Sequence, residues 1–501
     1  MRTLLRIRPW LLLPIALFAA ILLLSGGTHV YAEGDKPAAP PPTGPGMDDS
    51  GMGDPAMGEP GMGDAPSGDG DEEDSDTPTS LADRVHAAVD KGVRWLKQAQ
   101  LPNGSWGDIV GNHSYGDGKG TPYQHPAGST ALALYTLLKC KEPLSDGVIQ
   151  KGFKFLRDKH KKPGSAYETS MMLLAVTATA DPFKKIKASV DQGEKVKFPS
   201  GDWQQWATSL RDYLLAKRTK AKTMGWRYMI EGDSGSTPGG NEDLSSTQLA
   251  ALALLAAERC GIKTDAKVWM DIIKFSMKQQ SDDGPEWDRA VYDKKSKSAP
   301  PAASPGGSDP DKGRYAPPAG EKPPKDHCRG FAYIKSDKLT PDEGGPVGSM
   351  TACGVCNLMM CRYILAKREE KLWAAADQKS VQQSIYDGCA WLDANWQTYG
   401  NPGKQKENVY HIYHMYCCER TFDLIGNNLI GKHYWYNDFA GELVARQDAK
   451  GFWNSNSTHK PEAVLDTCFA LLVLKRSTKG GIPSGSITGG GDEPPEDNRG
   501  K

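Results

Sequence analysis

The sequence predicts an all-α protein, a closed ring of six helix pairs. Three observations carry this. A helix-length apolar stretch, a turn rich in Gly and Asp, and a second apolar stretch recur six times between residues 85 and 476, and a period of this size marks stacked supersecondary units. In each pair the first stretch keeps a polar face and the second keeps none. Three of the connecting turns also share Gln, Gly and Trp in the same order. An open row of pairs would need polar caps on its terminal repeats. The last segment, Val464-Leu465-Asp466-Thr467-Cys468-Phe469-Ala470-Leu471-Leu472-Val473-Leu474, is nevertheless as apolar as those in the middle. Closure of the row into a ring removes that need.

The first outer helix spans 85–100, with Val85, Val89, Val93 and Leu96 at helical spacing and Arg94, Lys97 and Gln98 on the opposite side. Its inner partner, 127–138, carries no charge before Lys139 and is expected to be enclosed on nearly all sides. The alternation continues as 148–158 with 166–178, 206–217 with 244–260, and 268–280 with 349–366. It ends as 381–396 with 410–424 and 435–447 with 463–475. The three shared turns are Gln100-Leu101-Pro102-Asn103-Gly104-Ser105-Trp106, Gln280-Ser281-Asp282-Asp283-Gly284-Pro285-Glu286-Trp287 and Gln447-Asp448-Ala449-Lys450-Gly451-Phe452-Trp453. Gly permits a positive-φ turn, Trp folds back as an apolar plug, and Gln bonds the loop backbone. Each turn should staple neighbouring helices.

These turns and paired helices resemble the repeats of the terpenoid cyclase and protein prenyltransferase superfamily, an (α/α)6 toroid, over residues 82–478. More narrowly, Asp243-Leu244-Ser245-Ser246-Thr247-Gln248-Leu249-Ala250, Gly348-Ser349-Met350-Thr351-Ala352 and Gly431-Lys432-His433-Tyr434-Trp435-Tyr436 resemble exported bacterial members of that superfamily. Fold alone does not settle function.

A toroid of twelve helices uses nearly the whole chain, leaving one domain and two tails. Residues 1–80 hold 4 Lys/Arg against 13 Asp/Glu, a balance of −9, so the whole-chain charge of −1 leaves +8 on the remainder. Residues 1–32 read as an export signal: Arg2, Arg6 and Arg8, an apolar run over 10–24, then Val30-Tyr31-Ala32. The run is short for a membrane span, so no stable span is expected after cleavage, and an uncleaved anchor is the alternative. Residues 33–80 are an acidic Pro/Gly/Met-rich linker expected to be disordered, as is the tail 479–501. Met recurs every five residues at Met47, Met52, Met57 and Met62, a spacing that thioether copper binding would also use. A Pro-rich insertion covers 288–327, interrupting the fourth pair. Nothing in the charge pattern points to nucleic acid.

Most of the ten cysteines fall on or beside inner helices, where Cys acts as a small apolar filler. Cys353-Gly354-Val355-Cys356 lacks the second pair that a zinc ribbon needs. A disulfide to Cys328 stays open.

The resemblance implies chemistry at inner-helix ends. Squalene-hopene-type cyclases use Asp-x-Asp-Asp-Thr, whose middle Asp protonates an alkene. Here Asp466 and Thr467 match the end of that motif, and Leu465 occupies the donor position. Prenyltransferases hold zinc with Asp-x-Cys and a His; Asp466, Cys468 and His411 or His414 offer the residue types in reversed order. Glu168, Asp243, Gln248, Tyr410 and His414 are candidate cavity-facing polar groups, with helix capping the favoured role for Asp243. His113, Tyr123 and His125 sit in the first long loop. The expectation is an exported toroid that binds an apolar or peptide ligand in its cavity or on an end face, with a terpenoid cyclase or a zinc-dependent prenyltransferase-like site as the alternatives. A hollow lined by aromatics favours the enzyme; an axis filled by side chains favours the scaffold.

Overall fold

The structure, a computed structural model, describes residues 80–107, 126–161, 163–180, 196–218, 224–227, 242–291, 322–335, 344–368, 373–403, 410–455 and 462–477. The expected export signal, the acidic arm with its methionines, the C-terminal tail, most of the insertion, and His113, Tyr123 and His125 lie outside these residues.

Among the described residues are twelve helices: α1 Leu81–Gln98, α2 Pro126–Lys139, α3 Gly147–Lys159, α4 Ala166–Ala178, α5 Gly201–Ala216, α6 Leu244–Arg259, α7 Ala266–Lys278, α8 Gly348–Lys367, α9 Ala375–Ala394, α10 His411–Ile425, α11 Trp435–Arg446 and α12 Glu462–Leu474. Two short antiparallel ribbons complete the set, β1 Glu286–Asp288 with β2 Lys325–His327 and β3 Leu429–Ile430 with β4 His433–Tyr434. The protein is an (α/α)6 toroid. Even-numbered helices form the inner ring, each packing on the next, and α12 packs back on α2. Tyr167 with Ser245, and Cys353 with Cys417, meet at matching heights, so neighbouring inner helices run parallel.

Burial follows the pattern in the sequence. In α1 the buried residues are Val85, Ala88, Val89, Gly92, Val93 and Leu96, one stripe of an otherwise wet helix. Every residue of α6 from Leu244 to Ala257 is buried. Helix α8 is long and apolar enough to cross a membrane over Gly348–Ala366, but 83% of that window is buried in the protein, as an inner-ring helix must be. Helix α5 starts at Gly201, five residues before the periodicity suggests, because Trp203 and Trp206 both pack edge-on against Phe153 of α3.

The plugs share one geometry. The Trp106 indole donates to the Leu96 carbonyl at 2.7 Å, and its backbone N–H donates to Thr130 Oγ1 at 3.1 Å. Trp453 repeats this with Leu443 and Thr467, and Trp226 with Leu214 and Thr247. Gln100 and Gln447 each donate to the carbonyl two residues before the plug and to a carbonyl of the next outer helix.

The third turn differs from expectation. Gln280 donates to the Arg329 and Ser384 carbonyls, both at 3.0 Å, and the backbone N–H bonded to Thr351 Oγ1 belongs to Phe331. Arg329-Gly330-Phe331 therefore occupies the place of Gly104-Ser105-Trp106, and Phe331, not Trp287, is the plug. The Pro-rich insertion lies inside the turn and carries Trp287 out to the surface, where it is 39% exposed.

The last turn closes the ring. Gln447 reaches the Ala88 carbonyl at 2.8 Å, Phe452 packs on Trp95 with ring centroids 5.2 Å apart, and α1 packs on both α11 and α12. Gly451 has φ +101°, and a Cβ there would lie 2.6 Å from the Lys91 carbonyl oxygen, so this crossing admits only glycine.

Candidate functional site

Side chains from opposite inner helices meet across the axis of the ring. Helices α4 and α10 stand opposite each other, yet the Tyr167 and Tyr413 hydroxyls adjoin across it. Tyr413 packs on Phe469, and Tyr416 stacks on Phe469 with centroids 5.0 Å apart. Further along, the fully buried Arg420 lies over the Tyr416 ring at 4.0 Å and donates to Cys417 Sγ at 3.0 Å. Cys417 is 3.6 Å from Cys353 Sγ. Burial alone would raise the Cys417 thiol, but the Cys353 thiol and the Arg420 guanidinium reverse that and bring it down to about 7.

Most of the sequence-derived candidates serve as caps or packing. Ser165 Oγ accepts from the Glu168 backbone N–H, and the Glu168 carboxylate accepts from Gly164 N at 2.9 Å, a capping box for α4. Asp243 caps α6, accepting from Ser246 N, Ser246 Oγ and Ser245 Oγ, while burial lifts its carboxyl to about 6. Gln248 donates to Cys356 Sγ at 3.5 Å, tying α6 to α8. Tyr410 holds the left-handed turn, φ 67°, that opens α10. Reading His414 as cavity-facing is corrected: its ring lies 3.7 Å from Cys418 Sγ and edge-on to Phe439 of the outer helix α11, and burial drives it down to about 3.

The zinc set is likewise not assembled. Cys468 is buried beside the Thr136 hydroxyl of α2. His411 lies against Tyr399, near Arg446, with burial lowering it to about 4. The Asp466 carboxylate accepts from Ser455 N and Oγ at 2.7 and 2.6 Å, holding the turn that follows Trp453. Among the described residues no group of three His, Cys, Asp or Glu side chains converges. Cys328 is free, its Sγ 3.6 Å from the Ala390 carbonyl.

The buried histidines set an expected pH response. The unfolded chain protonates them near 6.5, whereas folded His411 and His414 resist until about 4 and 3. Their contribution is complete above pH 6.5 and is lost as pH falls through the folded values. Asp243 acts oppositely and more weakly, gaining between about 6 and 3.8 as pH falls. Denaturant titrations should show a net loss on the order of 2–4 kcal/mol between pH 7 and pH 4, and His414→Leu should lose less.

Outside the ring, the insertion helps to build a cleft of about 610 Å³ whose lining includes Trp287, Lys325, Asp393, Trp396, Lys432 and His433, together with Glu286 and Asp288. The sequence reading missed it. The Trp287 indole N–H donates to Asp393 Oδ2 at 2.7 Å, and burial raises the Asp393 carboxyl. His433 stacks on Trp396, centroids 4.7 Å apart, and is lowered to about 4 by burial and by Lys432, so it is neutral at pH 7. Gly431 has φ +55°, and a Cβ there would lie 2.0 Å from Asp393 Oδ1, so the carboxylate rests directly on this backbone. The floor is rigid. Arg289 grips Asp326 through two bonds of 3.0 and 2.9 Å, Arg329 grips Asp387, and Gln383 bonds both aspartates. These bonds fasten the β1–β2 ribbon to α9.

The family model of the squalene-hopene cyclase C-terminal domain matches residues 79–173. No curated protein matches the sequence. Among solved structures, the chain is similar to the type II terpene cyclase MstE from Scytonema, with 12% identity, a TM-score of 0.42, and coverage of 80% of this chain and 100% of that one. It is similar to the same degree to the GH76A alpha-1,6-mannanase from Salegentibacter sp. HEL1_6, with 12% identity, a TM-score of 0.41, and coverage of 79% of this chain and 99% of that one. Likeness of this degree says nothing about chemistry.

Proposed function

We propose that the chain is an exported binding or scaffold module on a squalene-cyclase-like toroid, with its recognition surface on the outer face at the insertion and not in the ring axis. The observation that carries this reading is the contact across the axis: Tyr167 and Tyr413 adjoin there, with Tyr416 and Arg420 packed beyond. A cyclase must enclose its polyprenyl chain in an empty, aromatic-walled space and hold a strong acid over it. Asp466 is instead engaged by Ser455, and Leu465 precedes it. Export rests on Arg2, Arg6 and Arg8 ahead of the apolar run at 10–24.

The cyclase alternative keeps one support, the match over residues 79–173. Incubation with squalene and geranylgeranyl substrates, followed by mass spectrometry of the lipids, separates the two readings. No product is expected. Asp466→Asn should cost about 1 kcal/mol through the weakened bonds to Ser455. Cyclised product that disappears in Asp466→Asn would establish the cyclase reading instead.

A further inference from the structure

We propose that the Trp287 cleft is a binding site for neutral saccharides. This deepens the preceding reading and rests on it. Trp106, Trp226 and Trp453 are buried plugs with their indole N–H groups spent on helix carbonyls. In the fourth pair the plug is Phe331, and the tryptophan that the turn also encodes stands on a ribbon, 39% exposed, at the cleft wall. A large aromatic left in water on a rigid mount is a platform in search of an apolar face.

The indole N–H is already bonded to Asp393, which fixes the ring orientation and leaves the ring face as its remaining contact surface. Around it stand acceptors from Glu286, Asp288 and Asp393 and donors from Lys325 and Lys432, with Lys325 and Asp288 already paired at 2.8 Å. Opposite charges therefore nearly cancel within the cleft. An isoprenoid would strip these charges of water without return. A nucleotide or other polyanion would meet three carboxylates, and an organic cation two ammonium groups. A pyranose matches the arrangement, because its C–H face is apolar enough to stack on an indole and its rim of hydroxyls both donates and accepts.

Asp326 in the ribbon and Asp387 in α9 are buried and bonded by Arg289, Arg329 and Gln383, so the ribbon is held in place before a ligand arrives. The volume of about 610 Å³ lies in the range of small-molecule sites.

The test uses the full chain titrated with cellotetraose, mannotetraose and a chitin tetramer, read by calorimetry and tryptophan fluorescence. Saturable binding is expected for at least one of them, weakened about tenfold or more in Trp287→Ala and in Asp393→Asn, with the melting temperature of Trp287→Ala unchanged. Lack of saturation by all three up to about 10 mM, or binding indifferent to Trp287, overturns the proposal. Choline is the control cation. If choline binds with Trp287 dependence and the sugars do not, the saccharide assignment fails while the binding-module reading stands; polyprenyl turnover with a silent cleft sinks that reading itself.

Discussion

Phe331→Ala is expected to destabilise the protein by about 3–5 kcal/mol, whereas Trp287→Ala should change stability by less than about 0.5 kcal/mol. The order of residues in the sequence gives the opposite ranking, since Trp287 follows Gln280 and Gly284 in the order in which Trp106 follows Gln100 and Gly104, one residue later. Phe331 is fully buried and wedged between two glycines. A Cβ on Gly354 of α8 would lie 2.3 Å from its ring, and one on Gly388 of α9 would lie 3.1 Å from it. Both helices have surrendered side chains to make room, so nothing nearby can collapse into the space that alanine leaves. For a domain of this size the loss corresponds to roughly 5 °C in melting temperature. Scanning calorimetry of the two variants side by side decides which residue is the plug, and a larger loss for Trp287→Ala would refute the reassignment.

Trp453→Ala should cost a similar 3–5 kcal/mol, with a local signature. The Trp453 indole lies against Gly92 of α1, where a Cβ would come within 2.9 Å of it, and its N–H is satisfied by the Leu443 carbonyl. It thus joins the last pair to the first, and its loss leaves that carbonyl without its partner at the seam. Hydrogen exchange should rise first in α1, α11 and α12 while α6 and α8 stay protected. Uniform loosening of the whole ring would show that the seam is not the weak joint.

The ring itself was legible in the sequence because the inner helices carry no polar face and the outer ones carry one, a pattern that only an enclosed ring accommodates. Gln100, Gly104 and Trp106 read correctly, as did Gln447, Gly451 and Trp453. The fourth plug did not, because an insertion of some forty residues separates Gln280 from Phe331 and leaves a decoy Trp in the same Gln, Gly, Trp order, one residue beyond the place that Trp106 and Trp453 occupy. The one available signal was the glycine shared by two of the four plugs, directly before the aromatic in Gly225-Trp226 and Gly330-Phe331. Candidate polar groups were found readily but their roles were not. Asp243, Glu168 and Asp466 cap or clamp the chain, and a carboxylate reads the same whether it bonds a backbone amide or a ligand. His411, Asp466 and Cys468 have the residue types of a metal site, but side-chain direction on a helix separates them. The cleft escaped because it joins residues more than a hundred positions apart on an insertion, an outer helix and a ribbon.

The account depends on the first and last helix pairs meeting. Lys91 and Lys450 are both exposed, and Gly451 abuts the Lys91 carbonyl. Treatment of the monomer with a short amine-reactive cross-linker, digestion and mass spectrometry should recover a peptide joining Lys91 to Lys450 as a major product. Its absence from intact monomer, with cross-links confined to consecutive pairs, would mean an open row of helices and would contradict the closed ring.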